Sequence, residues 1–265
     1  MRLLSERPSL EAVHQARIAL RRMRAMLKAF KAVASDPEVV AIEGELERMT
    51  DVFADARSLD VFIAETFRPY VRDEPGAAEF GEALLHAQAK AHEDVRHALT
   101  GGDFAMAVLD LAEWVACGAW TRATPTAAQA ERRLGAVAVE MLKRRRKVML
   151  KRGGRLDWND PLARHRLRIQ AKKMRYLAEA FAPGLGGGKR FLRALEGLQT
   201  CLGDLNDIAT LSEVAHLALE TLVSRDAAFA AGALIGSRRA AAPKLVKAAR
   251  RAYERFAAEE PFWKG

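Results

Sequence analysis

One segment of this sequence occurs twice without a gap, and the repeat restricts the fold more than any other feature. Residues 14–30 read HQARIALRRMRAMLKAF and residues 165–181 read HRLRIQAKKMRYLAEAF, so that histidine, basic and apolar positions coincide. A weaker match follows in the same order, between LERMTDVFADARSLDVF from Leu46 and LEGLQTCLGDLNDIATL from Leu195. Two matched segments in one order predict a duplicated helical hairpin.

The composition favours helices throughout. Half of the 265 residues are hydrophobic and only nine are proline, and long stretches rich in Ala, Leu, Arg and Glu have high helix propensity. Breaks at Pro and Gly then divide the chain into two antiparallel bundles, residues 1–153 and 158–265. We therefore predict an all-α protein of two pseudo-symmetric bundles, the first longer by an extra hairpin between Pro75 and Ala123.

The charge balance indicates an anionic partner. The chain has 43 Lys and Arg against 34 Asp and Glu, a net charge of +9 and a pI near 9.8, which favours polyanions without identifying one. Cys117 and Cys201 lie far apart with no CxxC or His-rich neighbourhood, so neither disulfides nor a zinc site is predicted. With no apolar signal core and no membrane-spanning run, we expect a cytoplasmic protein without membrane contact or cofactor.

Each matched segment places its basic residues along one arc of a helix. At about 100° per residue, one row forms on each copy, with apolar residues on a neighbouring arc. These flanking residues are Ala16, Leu20, Met23, Leu27 and Phe30 in the first copy and Leu167, Ala171, Met174, Ala178 and Phe181 in the second. The first row comprises His14, Arg17, Arg21, Arg24 and Lys28; the second comprises His165, Arg168, Lys172, Arg175 and Tyr176. Glu179 replaces Lys28 in the second copy, which shortens that row. Like charges at i,i+3 and i,i+4 repel, so a row repeated in both copies predicts a long anionic ligand.

Further basic positions are secondary candidates. Lys143, Arg144, Lys147 and Lys151 share one helical face near the end of the first half, and Lys247 and Arg251 share one on the last helix; Arg22, Lys173 and Arg57 lie next to the rows or in the second matched segment. Basic residues near helix C-termini also complement the helix dipole, which is an alternative explanation for the run from Lys143. If the rows converge, we expect a basic groove or pore near the pseudo-two-fold axis.

The motifs HQARIALRRMR, HRLRIQAKKMRY and LGDLND resemble those of the CHAD family, the α-helical domain named for its histidines. The first-copy counterpart of LGDLND departs from the pattern, because Ser58 stands where Asp207 stands in the second copy. The resemblance implies two pseudo-symmetric helical bundles that bind inorganic polyphosphate. It implies location at polyphosphate granules, and contacts from His14, Arg17, Arg21 and Arg24 and their second-copy equivalents.

The leading functional prediction is therefore non-enzymatic binding of polyphosphate. Weak, non-specific nucleic-acid binding is the first alternative, although the aromatic residues other than Tyr176 are not interleaved with the basic rows. A metal-dependent hydrolase or transferase acting on polyphosphate is the second. It lacks a phosphate-binding Gly-rich loop, paired carboxylates and an activated nucleophile in the sequence, so no catalytic or metal-binding residue is predicted.

Overall fold

A computed structural model describes residues 10–30, 38–71, 73–122, 134–220 and 224–264. All regular secondary structure in these ranges is helical, as the composition predicts. The main helices are α1 Leu10–Phe30, α2 Val39–Asp51, α3 Ala54–Val61, α4 Ala77–Thr100, α5 Gly102–Cys117, α6 Leu134–Gly153, α7 Pro161–Phe181, α8 Lys189–Leu219, α9 Arg225–Ala240 and α10 Ala242–Ala258. A π-helical stretch, Phe62–Phe67, extends α3.

Local signals explain the limits of α7. The Asp160 carboxylate accepts a hydrogen bond from the Leu162 backbone N–H at 2.8 Å, and Pro161 occupies the first turn. This combination satisfies an N–H that the helix itself leaves without an acceptor. Beyond α7, Gly186, Gly187 and Gly188 all have positive φ, a conformation that favours glycine, and this Gly-rich segment separates α7 from α8.

The chain forms two compact units whose limits differ from the predicted halves. Unit I contains Met1–Ala123 and Thr210–Arg239, and unit II contains Thr124–Ala209 and Ala240–Gly265. Helix α6 therefore groups with α7 rather than with the helices that precede it. The short 154–160 connection makes α6 and α7 neighbours, and Arg145 Nη1 donates to Gln170 Oε1 at 3.1 Å between them. Helix α8 supplies residues to both units.

Unit II is built around an apolar core shared by α6, α7, α8 and α10. The largest fully buried side chains include Leu142, Leu167, Met174, Phe191 and Phe256. Helices α6 and α10 also contact through Tyr253, whose hydroxyl donates to the Leu150 carbonyl at 2.9 Å. Because a Cβ at Gly153 would lie 2.0 Å from Tyr253 Cε2, the close approach of these helices requires glycine there.

Unit I has an aromatic core and one buried acid. Phe62 and Phe67 each pack edge-to-face on Phe80. Asp60 on α3 is buried, and its Oδ1 accepts from Gln88 Nε2 at 2.7 Å and lies 2.9 Å from His92 Nε2, both on α4. These bonds tie α3 to α4 and compensate in part for the burial of the carboxylate, whose Oδ2 is buried without a hydrogen-bond partner.

None of the helices in the described ranges combines the length and the apolar character needed to cross a membrane.

Candidate functional site

The second predicted row lies on α7 in unit II, beside the core. Leu167, Ala171, Met174 and Ala178 are buried, as the neighbouring apolar arc predicts. Of the row itself, His165 is exposed and the other members, Arg168, Lys172, Arg175 and Tyr176, are half-buried; Lys173 is half-buried as well. The α7 row is therefore partly covered by the unit and partly accessible to solvent.

The α7 row also contacts α8. His165 Nδ1 lies 2.6 Å from Asn206 Oδ1. Because an amide oxygen only accepts hydrogen bonds, Nδ1 is the donor in this contact. Farther along α7, Arg175 pairs with Glu179 at 2.6 Å and with Glu196 of α8 at 3.6 Å. Glu196 was not among the residues predicted from the sequence.

The first row lies on α1 in unit I and is closer to the core than the helical wheel predicts. Val13 and Leu20 are buried, whereas Met23, expected on the apolar flank, is 37% exposed. Arg17 and Arg24 lie on the same side of α1 as Val13 and Leu20, and both arginines are half-buried. Of the other basic positions, His14 and Arg21 are half-buried, whereas Arg22 and Lys28 are exposed. The side chain of Phe30, another predicted flank residue, lies outside the described residues. Contacts with α2 and α3 set this rotation.

One ion pair and one electrostatic effect relate the α1 row to the helices that follow it. Arg24 Nη2 lies 2.5 Å from Glu47 Oε1 of α2. The pKa of His14 is lowered, first by burial and then by the positive charge of Arg57 on α3, against a smaller opposing effect of Glu11. Arg57 therefore lies close enough to His14 to disfavour a second positive charge there.

These contacts occupy equivalent positions in the two matched segments. In the alignment, Glu47 corresponds to Glu196, so Arg24–Glu47 and Arg175–Glu196 are equivalent pairs. Arg57 corresponds to Asn206, so each histidine is near the same position of the second matched segment. The duplication itself stays a prediction. The glutamate shared by the two matched LE segments was the sequence signal that could have identified Glu47 and Glu196.

The secondary basic positions of unit II are exposed. Lys143, Arg144, Lys147 and Lys151 on α6, and Lys247 and Arg251 on α10, all face solvent. Two other arginines of the α6 run are structural: Arg145 contacts Gln170, and Arg146 Nη2 donates to the Ala257 and Glu259 carbonyls at 3.0 and 3.1 Å. Arg146 thus satisfies carbonyls at the end of α10 that lack helical donors.

Arg164 is a further basic residue that the sequence analysis missed. It is buried at the start of α7, and its Nη1 donates to the Trp158 carbonyl at 2.6 Å. Burial lowers its pKa, opposed by the nearby carboxylates of Asp160 and Asp157. These contacts make it part of the support of α7.

Positive charge is concentrated in unit II. Its residues include 25 Lys and Arg against 11 Asp and Glu, a formal charge of +14, whereas unit I has 18 against 23, a formal charge of −5. The charge of +9 for the whole chain conceals this difference. Within the ranges that the structure describes, no group of three or more His, Cys, Asp or Glu side chains is arranged to hold a metal ion.

A family model described as the CHAD domain matches residues 2–216 of the chain. The chain belongs to the CHAD family. The CHAD family is associated with inorganic polyphosphate, so a polyphosphate-related function is the general assignment. A search of the curated proteins found no match.

Two solved structures resemble this CHAD protein over most of its length. The crystal structure of the CHAD domain from the plant Ricinus communis has a TM-score of 0.80 at 24% identity and covers 97% of this chain and 85% of that chain. PptA from Streptomyces chartreusis has a TM-score of 0.71 at 17% identity and covers 93% of this chain and 90% of that chain. At these identities the likeness establishes the shared helical fold. Convergence of the α1 and α7 rows in a groove or pore stays a prediction.

Proposed function

We propose that the protein binds inorganic polyphosphate without converting it, and that unit II provides most of the binding charge. The observation that carries this proposal is the formal charge of +14 on unit II. A linear polyanion gains most from many cations on one body, because each contact releases condensed counterions.

The residue types and their spacing suit a chain of phosphates. Arginine can bind phosphate oxygens through two parallel N–H groups, while lysine contributes a point charge. From His165 to Arg175 the rise is about 15 Å at 1.5 Å per residue, a length that spans several consecutive phosphates. The α7 row supplies the oriented contacts, and the exposed bases of α6 and α10 supply additional charge. Location at polyphosphate granules is the cellular consequence that we propose.

Nucleic acid is the competing ligand class. A duplex would use the same charge, whereas a single strand would also use aromatic side chains on which its bases stack. Tyr176 is the aromatic member of the α7 row and is half-buried. We therefore expect phosphate groups alone to be recognised, which favours polyphosphate because it is a chain of phosphates without bases.

Competition at fixed ionic strength tests the proposal. Fluorescently labelled polyphosphate of defined length is bound to the full chain and then displaced by unlabelled polyphosphate or by duplex DNA at equal phosphate concentration. We expect polyphosphate to displace the label at a lower concentration than DNA. Stronger displacement by DNA would overturn the choice of ligand.

A second measurement tests whether the protein converts the polyphosphate that it binds. The complex is incubated with Mg²⁺ or Mn²⁺, and orthophosphate release and polyphosphate length are followed. We expect an unchanged length distribution over hours. Shortening that depends on the protein would support the hydrolase or transferase alternative.

A further inference from the structure

The guanidinium of Arg175 is surrounded by oxygen acceptors on two helices of unit II. Its Nε lies 2.6 Å from Glu179 Oε1 on α7, and its Nη2 lies 3.6 Å from Glu196 Oε1 on α8. Its Nη1 donates to Gln199 Oε1 at 3.4 Å. All three nitrogens of Arg175 therefore already face a side-chain oxygen.

This arrangement conflicts with strong binding of a phosphate. An arginine holds a phosphate best when two adjacent N–H groups donate to two of its oxygens. Each pair of adjacent nitrogens on Arg175 includes at least one that faces a carboxylate. An incoming phosphate must displace that carboxylate or be repelled by it.

The same arrangement occurs in a milder form in unit I. Arg24, the equivalent of Arg175, pairs with Glu47, the equivalent of Glu196. Lys28 stands where Glu179 stands in the second copy, so the α1 arginine has one of these two acids and the α7 arginine has both. The arginine–glutamate pair between two helices thus occurs in both units. The Arg175–Glu179 pair within α7 has no equivalent on α1, where Lys28 takes the place of the acid.

We infer that Glu179 and Glu196 are affinity-setting residues that hold Arg175 away from polyphosphate until the ligand displaces them. The inference rests on the proposed function. The two acids weaken the first contacts of the α7 row and raise the polyphosphate concentration at which that row fills. Short chains, which make few other contacts, are the most affected.

The test compares Glu179→Gln and Glu196→Gln with a matched control. Glutamine keeps the size of each side chain and removes its charge. The control is Glu254→Gln on α10, because Glu254 pairs with Arg250 at the same i,i+4 spacing, at 3.2 Å, in the same unit. All three variants gain one unit of net positive charge. Affinity for a short polyphosphate of defined length is measured by titration of the full chain.

We expect Glu179→Gln and Glu196→Gln each to bind about two- to fivefold more tightly than Glu254→Gln, the range expected from loss of a partly exposed ion pair. Equal affinities for the three variants would overturn the inference. Weaker binding by Glu179→Gln or Glu196→Gln would also overturn it and would show that the acids orient Arg175 toward the ligand. If the unmodified protein fails to bind polyphosphate, the proposed function itself is wrong.

A double-mutant cycle separates the specific pair from the general field of the unit. In an Arg175→Ala background, Glu179→Gln should bind no more tightly than Glu254→Gln in the same background, because the cation that it releases is absent. Thermal melting of each variant verifies that the fold is retained. A gain that persists without Arg175 would contradict the inference.

Discussion

His14 and His165 begin the two matched segments, yet their surroundings differ. His14 is half-buried near Arg57, whereas His165 is exposed and contacts Asn206. Burial, and then the positive charge of Arg57, lower the pKa of His14. The pattern HxxR identifies His14 and His165 as equivalent residues. It does not specify which residue of the second matched segment lies near each histidine.

The lowered pKa of His14 predicts a loss of stability in acid. Below pH about 6.5 a histidine in the unfolded chain takes up a proton, whereas folded His14 remains neutral until the pH falls further. The unfolded state is therefore favoured as the pH falls through this window. His14→Gln, which does not titrate, should lose less stability than the unmodified protein between pH 7.5 and 5.5.

Urea unfolding at the two pH values, without polyanion, measures this difference. His97→Gln is a suitable control, because His97 is an exposed histidine at the end of α4 that pairs with Glu93. An equal acid-induced loss in the unmodified protein and in His14→Gln would show that His14 does not contribute.

At the scale of the helices, the sequence predicted α7 better than α1. The apolar arc of α7 is buried as predicted. On α1, by contrast, Met23 is exposed, and Arg17 and Arg24 are half-buried on the side of the helix that faces the core. A helical wheel gives the order of residues around a helix, whereas the rotation that buries one arc depends on the neighbouring helices. Long basic side chains tolerate such a rotation because their stems are apolar.

The contact between α6 and α10 depends on the absence of a side chain at Gly153. In Gly153→Ala the new methyl would overlap the ring of Tyr253, which is buried, packs on Trp158 and donates to Leu150. The ring cannot move without losing these contacts, so we expect a destabilisation of about 1–3 kcal/mol. Chemical denaturation monitored by circular dichroism measures it.

Gly135→Ala on the same helix is the matched control. Among the described residues, no atom outside the helix's own backbone lies within 4 Å of a Cβ at Gly135. Helix propensity is therefore the main effect, and stability should be unchanged or rise by up to about 1 kcal/mol. Equal destabilisation by the two substitutions would contradict the role of the Tyr253 contact.

At the scale of the whole molecule, the organisation into units was less predictable than the helices. All-α structure followed from composition and periodicity, and the family motifs identified the CHAD fold. The grouping of α6 with α7 and of residues 210–239 with unit I differs from the predicted halves. The order of helices along the chain determines neither grouping, because a helix packs against whichever neighbour buries its apolar face.

The uneven charge predicts which substitutions change the salt dependence of polyphosphate binding. Replacing Lys143, Lys147 and Lys151 of unit II by Ala removes three exposed cations. If all three contact phosphates, the slope of log affinity against log salt should become shallower by about 2, at about 0.7 per lost contact with a single strand. Titrations between 50 and 300 mM salt give the slope.

Arg68, Lys90 and Arg225, which are exposed residues of unit I, provide the control. Their joint replacement by Ala removes the same formal charge and should leave the slope nearly unchanged. A similar change in slope for both triple variants would mean that total charge, rather than its location in unit II, governs binding.

The opposite net charges of the two units also affect how the protein meets charged surfaces. A pI near 9.8 describes an average that neither unit has. An anion exchanger at neutral pH should still retain the chain weakly through unit I, while a cation exchanger holds it through unit II. Bound polyphosphate would mask unit II and leave a complex that behaves as an acidic particle.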